Sequence, residues 1–185
     1  MNHPFETRYH SLISALKQGR RPLQKYTSQE QAELLRWGET ALAENLPEQL
    51  RQCLCLLDHA ERSNPLYTDF LIEILQDQRN DETVIYALGT SAKHIVALYS
   101  SRGEKVPLKF RTALLELLKN KNWELLEWVL RIIEQLGNQT LMFIEPVQSI
   151  RPSLWQTLPP PLGNPHARNC RDIIKLLAAR WRVFQ

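Results

Sequence analysis

The stretch that decides the fold is Leu117–Gln139, LLKNKNWELLEWVLRIIEQLGNQ. Nine of the fourteen residues from Trp123 to Leu136 are large and apolar. At about 100° per residue, Glu124, Glu127, Arg131, Glu134 and Gln135 share one arc of roughly 100°. Apolar residues fill the rest of the wheel. Trp128 is read as lying opposite the polar arc, in the core. A helix that is apolar on three sides is enclosed by neighbours. The inner members of a two-layer array of helix pairs have that environment, and so does the centre of a compact bundle.

Helix signals recur on both sides of this stretch, and strand signals do not. Thr27–Glu30, TSQE, forms a capping box before QAELLRWGETALAENL. Pro47 suits the first turn of PEQLRQCLCLLDHAER, and Asn64-Pro65 starts LYTDFLIEILQDQ in the same way. Asp81 is the expected cap of ETVIYALGTSAKHIVALYSS, Pro107 opens LKFRTALLELLKN, and Asn122 and Gly137 bracket the opening helix. A helix is expected from Phe5 to Gln18. TLMFIEPVQSI reads as a short helix or irregular turn, because Pro146 interrupts it. A proline-rich connector, residues 151–165, leaves no room for a regular element before a last helix from about His166 to Arg182. The turn dipeptides of β-hairpins are missing. The expectation is a single all-α domain over residues 1–185.

Spacing adds a period. A shift of 42 residues places Leu75 on Leu117, Val84 on Leu126, Ala87 on Val129 and Leu88 on Leu130. The expected caps Asp81, Asn122 and Asn164 step by 41 and 42. Two-helix solenoid units repeat at this length. Residues 64–145 thus resemble the HEAT/armadillo-like family. The resemblance implies an α-α superhelix of stacked antiparallel helix pairs. The Arg and Asp ladder of many HEAT units is not evident, and an irregular helical bundle stays open as the alternative.

A hydrophobic fraction of 43% and a charged fraction of 23% are ordinary for a soluble globular chain. No run of 18 uncharged apolar residues exists, so no membrane span is expected. The first residues lack the order of a signal peptide, which makes the cytoplasm the expected compartment. Charge is unevenly spread. Residues 1–26 carry net +4, residues 27–150 net −6 and residues 151–185 net +5. Two basic ends therefore flank an acidic middle.

Residues able to do chemistry are scattered. Cys53, Cys55 and Cys170 are an odd number, which rules out a complete disulfide framework. On a helix, Cys53 and Cys55 point roughly 200° apart and cannot share an ion, so buried reduced thiols are expected. No Gly-rich phosphate loop, G-x-S-x-G, H-E-x-x-H or C-x-x-C occurs. His3, His10, His59, His94 and His166 have no histidine neighbour at helical ligand spacing. His94, at the rim of an apolar face, reads as a packing residue. No catalytic residue, metal or cofactor is expected.

Two features suit contact with a partner. Trp155 lies in the proline-rich connector, where an indole is either a contact or a plug over the end of the core. In the last helix, Ile173, Ile174, Leu177, Ala178 and Trp181 form one face, flanked by Arg168, Arg171, Lys175 and Arg182 within roughly 60°. Such a stripe suits a polyanion or an acidic protein surface, and it equally suits a solvated flank. Lys17, Arg20, Arg21 and Lys25 form a second basic cluster. The function expected is a monomeric, non-enzymatic protein–protein interaction module, a scaffold or adaptor. Nucleic-acid binding through the basic ends is the alternative.

Overall fold

The structure is a computed structural model and describes residues 3–153, 155–159 and 162–182. Every regular element among them is helical, and no strand is present. The chain divides into two compact units, Met1–Ser101 and Arg102–Gln185. Leu154, Pro160 and Pro161 of the connector lie outside the described residues.

The first unit contains α1 (Pro4–Lys17), α2 (Ser28–Ala43), α3 (Pro47–Asp58), α4 (Thr68–Asp77), α5 (Asp81–Ser91) and α6 (Leu98–Ser101). Local chemistry sets the starts. Thr27 and Glu30 form the expected capping box, and Pro47 occupies the first turn of α3, where its missing N–H costs no bond. Asn64 opens a 3-10 turn, Pro65–Tyr67, that leads into α4. The cap of α5 differs from expectation. Asn80 fills it, its side chain accepting from the Thr83 N–H, and Asp81 is the first helical residue.

Helices α2 and α3 form a tight hairpin, and so do α4 and α5. The first closes through Asn45 at φ 55°, with Leu46 N–H donating to Ala41 O at 2.8 Å, a Schellman arrangement without glycine. The second turns at Gln78, φ 50°. Helix α3 packs on α5 and on α1, and α2 packs on α4, so the two hairpins stack. Leu50, Leu54 and Leu57 of α3, Leu34 and Ala41 of α2, Phe70 and Leu71 of α4 and Leu88 of α5 are buried. Each such leucine contributes about 1.5–3 kcal/mol by burial. The close approach of α2 requires Gly38. A Cβ there would lie 2.6 Å from Phe70 Cζ and 2.8 Å from Cys53 Sγ.

One element departs from a regular helix. Between α5 and α6 the chain runs through a π-helical segment, Ala92–Ala97. Its widened turn carries Lys93 and His94 to the C-terminal end of α3. Lys93 Nζ donates to Asp58 O at 2.8 Å and to Ala60 O. His94, fully buried, meets Leu57 O through Nε2 at 2.9 Å and the Asn64 N–H through Nδ1 at 3.0 Å. Because the Asn64 N–H can only donate, Nδ1 must be unprotonated. Nε2 therefore carries the hydrogen, and the ring is neutral. Tyr67 stands edge-on to it. His94 is thus the satisfied packing residue the sequence suggests. It shares the Leu57 carbonyl with the Ala60 N–H, 3.0 Å away, while Lys93 takes the Asp58 carbonyl that α3 leaves open.

The second unit contains α7 (Leu108–Leu117), α8 (Trp123–Gln135), α9 (Ile144–Ser149) and α10 (Pro165–Arg182). Asn122 caps α8, and Gly137 follows it at φ 58°. The segment TLMFIEPVQSI resolves into a 3-10 run, Gly137–Phe143, followed by α9. Pro146 is tolerated because it falls in the first turn of α9. The connector is not wholly irregular either, since Trp155–Thr157 forms one 3-10 turn. Helix α10 lies along α8 and also packs on α9 and on that turn. Its buried residues are Ala167, Cys170, Ile173, Leu177 and Trp181, with Trp181 Nε1 donating to Thr140 Oγ1 at 2.9 Å.

Packing corrects the wheel of α8 at both ends of its polar arc. Trp128 is 37% exposed, not core. It sits about 40° from Glu124 on the wheel and so continues the solvent stripe of Glu124, Arg131 and Gln135. Glu127, assigned to that stripe, is only 6% exposed. A helix beside α8 covers it, as described next.

Candidate functional site

The polar centre of the second unit is Glu127. Arg131, one turn on, donates to its Oε1 at 2.5 Å through Nη2 and at 3.0 Å through Nε. From α10, His166 Nδ1 meets Oε2 at 2.8 Å, and Asn169 Nδ2 lies 3.0 and 3.1 Å from the two oxygens. Burial pushes the carboxyl up, but the hydrogen bonds from Arg131, His166 and Asn169 outweigh it and hold the group below its ordinary value. The carboxylate is ionised, so it accepts from every neighbour and His166 must carry its hydrogen on Nδ1. His166 beside a carboxylate has the outline of a general base, yet the arrangement lacks a nucleophile. The nearest thiol, Cys170, is buried, donates to Trp123 O at 3.6 Å and is pushed up to about 12 by that burial and by Glu127. The cluster is a pin that fixes α10 on α8. Nothing in the sequence pairs Glu127 with α10. Only the three-residue spacing of His166 and Asn169, on the edge of an apolar face, hints at a polar partner.

The other thiols are equally quiet. Cys53 is buried and raised by desolvation, and half-buried Cys55 is pushed up to about 11 for the same reason. All three cysteines are free. Among the described residues, no group of three His, Cys, Asp or Glu is placed to hold a metal ion. No described helix is long and apolar enough to cross a membrane.

The basic stripe is less uniform than the wheel implies. Arg168 turns back on its own unit, its Nη2 donating to Leu158 O at 2.9 Å. Arg171 pairs with neighbouring Asp172 at 3.1 Å. Lys175 and Arg182 are exposed and make no hydrogen bond or ion pair among the described residues. Arg180, outside the expected stripe, is held by Glu134 through its carbonyl at 2.9 Å. In the first unit, Lys25 faces Glu61 at 3.6 Å and Arg20 donates to Gln18 at 2.6 Å.

Trp155 is 78% exposed, and Leu162, further along the same connector, is 79% exposed. With Gln156, Gly163, Asn164 and Pro165 they border a shallow, open stretch of surface. Among the described residues, two hydrogen bonds tie Ser153, Gln156 and Asn164 together. The Asn164 N–H donates to Gln156 O at 2.9 Å, and the Ser153 N–H to Gln156 Oε1 at 2.9 Å. A Cβ on Gly163 would collide with the Leu158 carbonyl, so only glycine fits this crossing. Trp155 is therefore no plug over the core, whereas Leu162 was not singled out by sequence. A groove of about 400 Å³ lies between α1 and α2, where His3 stacks on Trp37 at 5.2 Å. One of its cations, Arg8, is committed to Glu30. No family model, no curated protein and no solved structure matches this chain.

Proposed function

We propose that the chain is a non-enzymatic module that holds a protein partner on stacked helix hairpins of HEAT-like type. Three asparagine caps support the repeat. Asn80, Asn122 and Asn164 each accept a backbone N–H at the start of α5, α8 and α10. Their spacing is 42 residues in both steps, more regular than the sequence alone suggests once Asn80 replaces Asp81. Each polar cluster that resembles catalytic equipment is consumed internally. His94 has both nitrogens engaged, and Glu127 is shared among three donors.

The observation that carries the binding role is the pair Trp155 and Leu162. Large apolar side chains left in water are common anchors of protein interfaces. Installing a photo-crosslinking aromatic amino acid at position 155, in cells that naturally make the protein, tests this. The expected outcome is a discrete light-dependent protein adduct that does not form when the same amino acid replaces exposed Tyr86. Equal or absent labelling from position 155 overturns the assignment.

A further inference from the structure

We infer that the extended segment Arg21–Lys25 is an open strand edge that takes up a short extended stretch of a partner protein, in which two acidic side chains flank an apolar one at alternate positions. The segment belongs to the first unit, and such an edge binds whether or not Trp155 does.

Local chemistry holds the segment extended. Gly19, at φ 75°, ends α1, with the Arg20 N–H donating to Ala15 O at 3.0 Å. Pro22 keeps Arg21 out of the helical region. The Thr27 capping box then takes the chain up as α2. Between them Gln24 pairs in parallel with Ala60. Its N–H donates to His59 O at 2.7 Å, and its carbonyl accepts from the Glu61 N–H at 2.8 Å. Exposure alternates as in a strand, with Arg21, Leu23 and Lys25 exposed and Pro22, Gln24 and Tyr26 half-buried.

Alternate residues of a strand aim their N–H and carbonyl groups at opposite edges. Gln24 spends one edge on the stretch around Ala60. The other edge belongs to Arg21, Leu23 and Lys25, whose backbone groups make no hydrogen bond among the described residues. A row of unpaired donors and acceptors is a template for another extended chain. Proline commonly blunts such edges, but Pro22 has the parity of Gln24, so its missing N–H lies on the side of Ala60. Because the segment is pinned at both ends and in its middle, pairing costs little ordering.

Charge selects the occupant. Residues 17–25 contain Lys17, Arg20, Arg21 and Lys25 and no Asp or Glu. On the paired stretch, residues 58–62, Glu61 lies 3.6 Å from Lys25, Asp58 lies 3.8 Å from His59, and exposed Arg62 makes no ion pair among the described residues. The two stretches together are net +3. Arg20 and Arg21 stand within three residues of Leu23, at most about 11 Å of chain, so the field acts at the edge itself. Side chains directly opposite on paired strands interact. Arg21, Leu23 and Lys25 share one face, so the strand laid beside them should read acid, apolar, acid at every second residue. A second copy of this edge would set cation against cation. A phosphate backbone offers acceptors alone and would leave the carbonyls of Leu23 and Lys25 unpaired.

The test is selection of a displayed library of random peptides, about ten residues long, against the intact chain. Selected peptides are expected to carry Asp or Glu at two positions four apart, with Val, Ile or Leu midway. N-methylating alternate residues of such a peptide should abolish binding in one phase and change it less than about twofold in the other, because only one set of N–H groups faces the edge. Leu23→Pro should weaken binding at least about tenfold, since the ring removes an outer donor and blocks the edge. Arg21→Glu with Lys25→Glu should cost about tenfold, mostly through slower association. These side chains are exposed, so circular dichroism should be unchanged. If Leu23→Pro does disturb the helices, the methylated peptides still decide, because they leave the protein untouched. No enrichment, basic peptides, or equal tolerance of methylation in both phases overturns the inference. So does loss of the peptides from Trp155→Ala, which would place them elsewhere. Tighter binding of an oligothymidine of about twenty nucleotides, lost in the double reversal, overturns it as well.

Discussion

His94 in the first unit and Glu127 in the second each fasten a pair of helices from a buried position, by opposite means. His94 is neutral, and both of its bonds go to main chain, Leu57 O and the Asn64 N–H. Glu127 is charged, and all its partners are side chains, Arg131, His166 and Asn169. A ring between two backbone groups has one workable position, and no substitute side chain reproduces it. A carboxylate among three mobile donors can lose a bond and keep the rest. The difference teaches that equal burial does not mean equal dependence. The first junction should fail abruptly and the second by degrees.

The largest effect is expected from His94→Ala. It opens a cavity and leaves the half-buried Asn64 N–H without its acceptor, while Leu57 O keeps the Ala60 N–H, which together should cost about 3–5 kcal/mol. Amide hydrogen exchange should show the loss in α3 and α5, with α8 and α10 unaffected. A cost below about 1 kcal/mol would mean that the neutral junction is as forgiving as the charged one. Next, Ile132→Ala should cost about 2–5 kcal/mol and Trp128→Ala less than about 1. Urea unfolding of the two variants checks the rotation of α8 that buries Glu127, and a reversed order would place that helix wrongly. Glu127→Gln should cost about 1–2 kcal/mol, since neutral bonds replace charge-assisted ones. A loss as large as that of His94→Ala would remove the contrast.

Acid sharpens the comparison last. Desolvation holds His94 below its ordinary 6.5, although its backbone bonds oppose that shift. Between the two values the unfolded chain binds the extra proton. The contribution of His94 is therefore present above about pH 6.5 and is lost as pH falls toward the folded value. Glu127 is also depressed, from 4.5, so its contribution is present above that pH and is lost only below it. Amide exchange followed from neutral pH downward should weaken α3 and α5 first, and α8 and α10 only below about pH 4.5. Simultaneous loss would contradict the pair.

What the sequence makes legible is what neighbours along the chain decide. Thr27 with Glu30, Pro47, Asn122 and Gly137 act within one turn, and each appears where its chemistry requires. What it hides is decided by contacts from afar. Glu127 is buried because α10 brings His166 and Asn169 over it, from residues 39 and 42 positions away. The π-helical segment is hidden for the same reason, since its purpose is to reach the end of α3. Trp128 is a different case, because its place on the wheel already lay beside the polar arc. In the binding region, exposed Trp155 could be suspected from its proline-rich surroundings. The spent state of Arg168 could not, because its partner is a main-chain carbonyl.

The π-helical segment also governs which changes of length the chain tolerates. A π turn holds one residue more than the α turn it replaces. Removing a single residue between Ser91 and Ala97 would let the hydrogen bonds close as an ordinary α-helix, and locally the helix would improve. The helix beyond the deletion would keep its phase, because the residue removed is the extra one; the same deletion in a regular α-helix would rotate everything beyond it by about 100°. What would be lost is the reach of the wide turn, which carries Lys93 and His94 to the end of α3. A one-residue deletion that most helices oppose through a broken face would here be opposed only by the contacts of those two side chains.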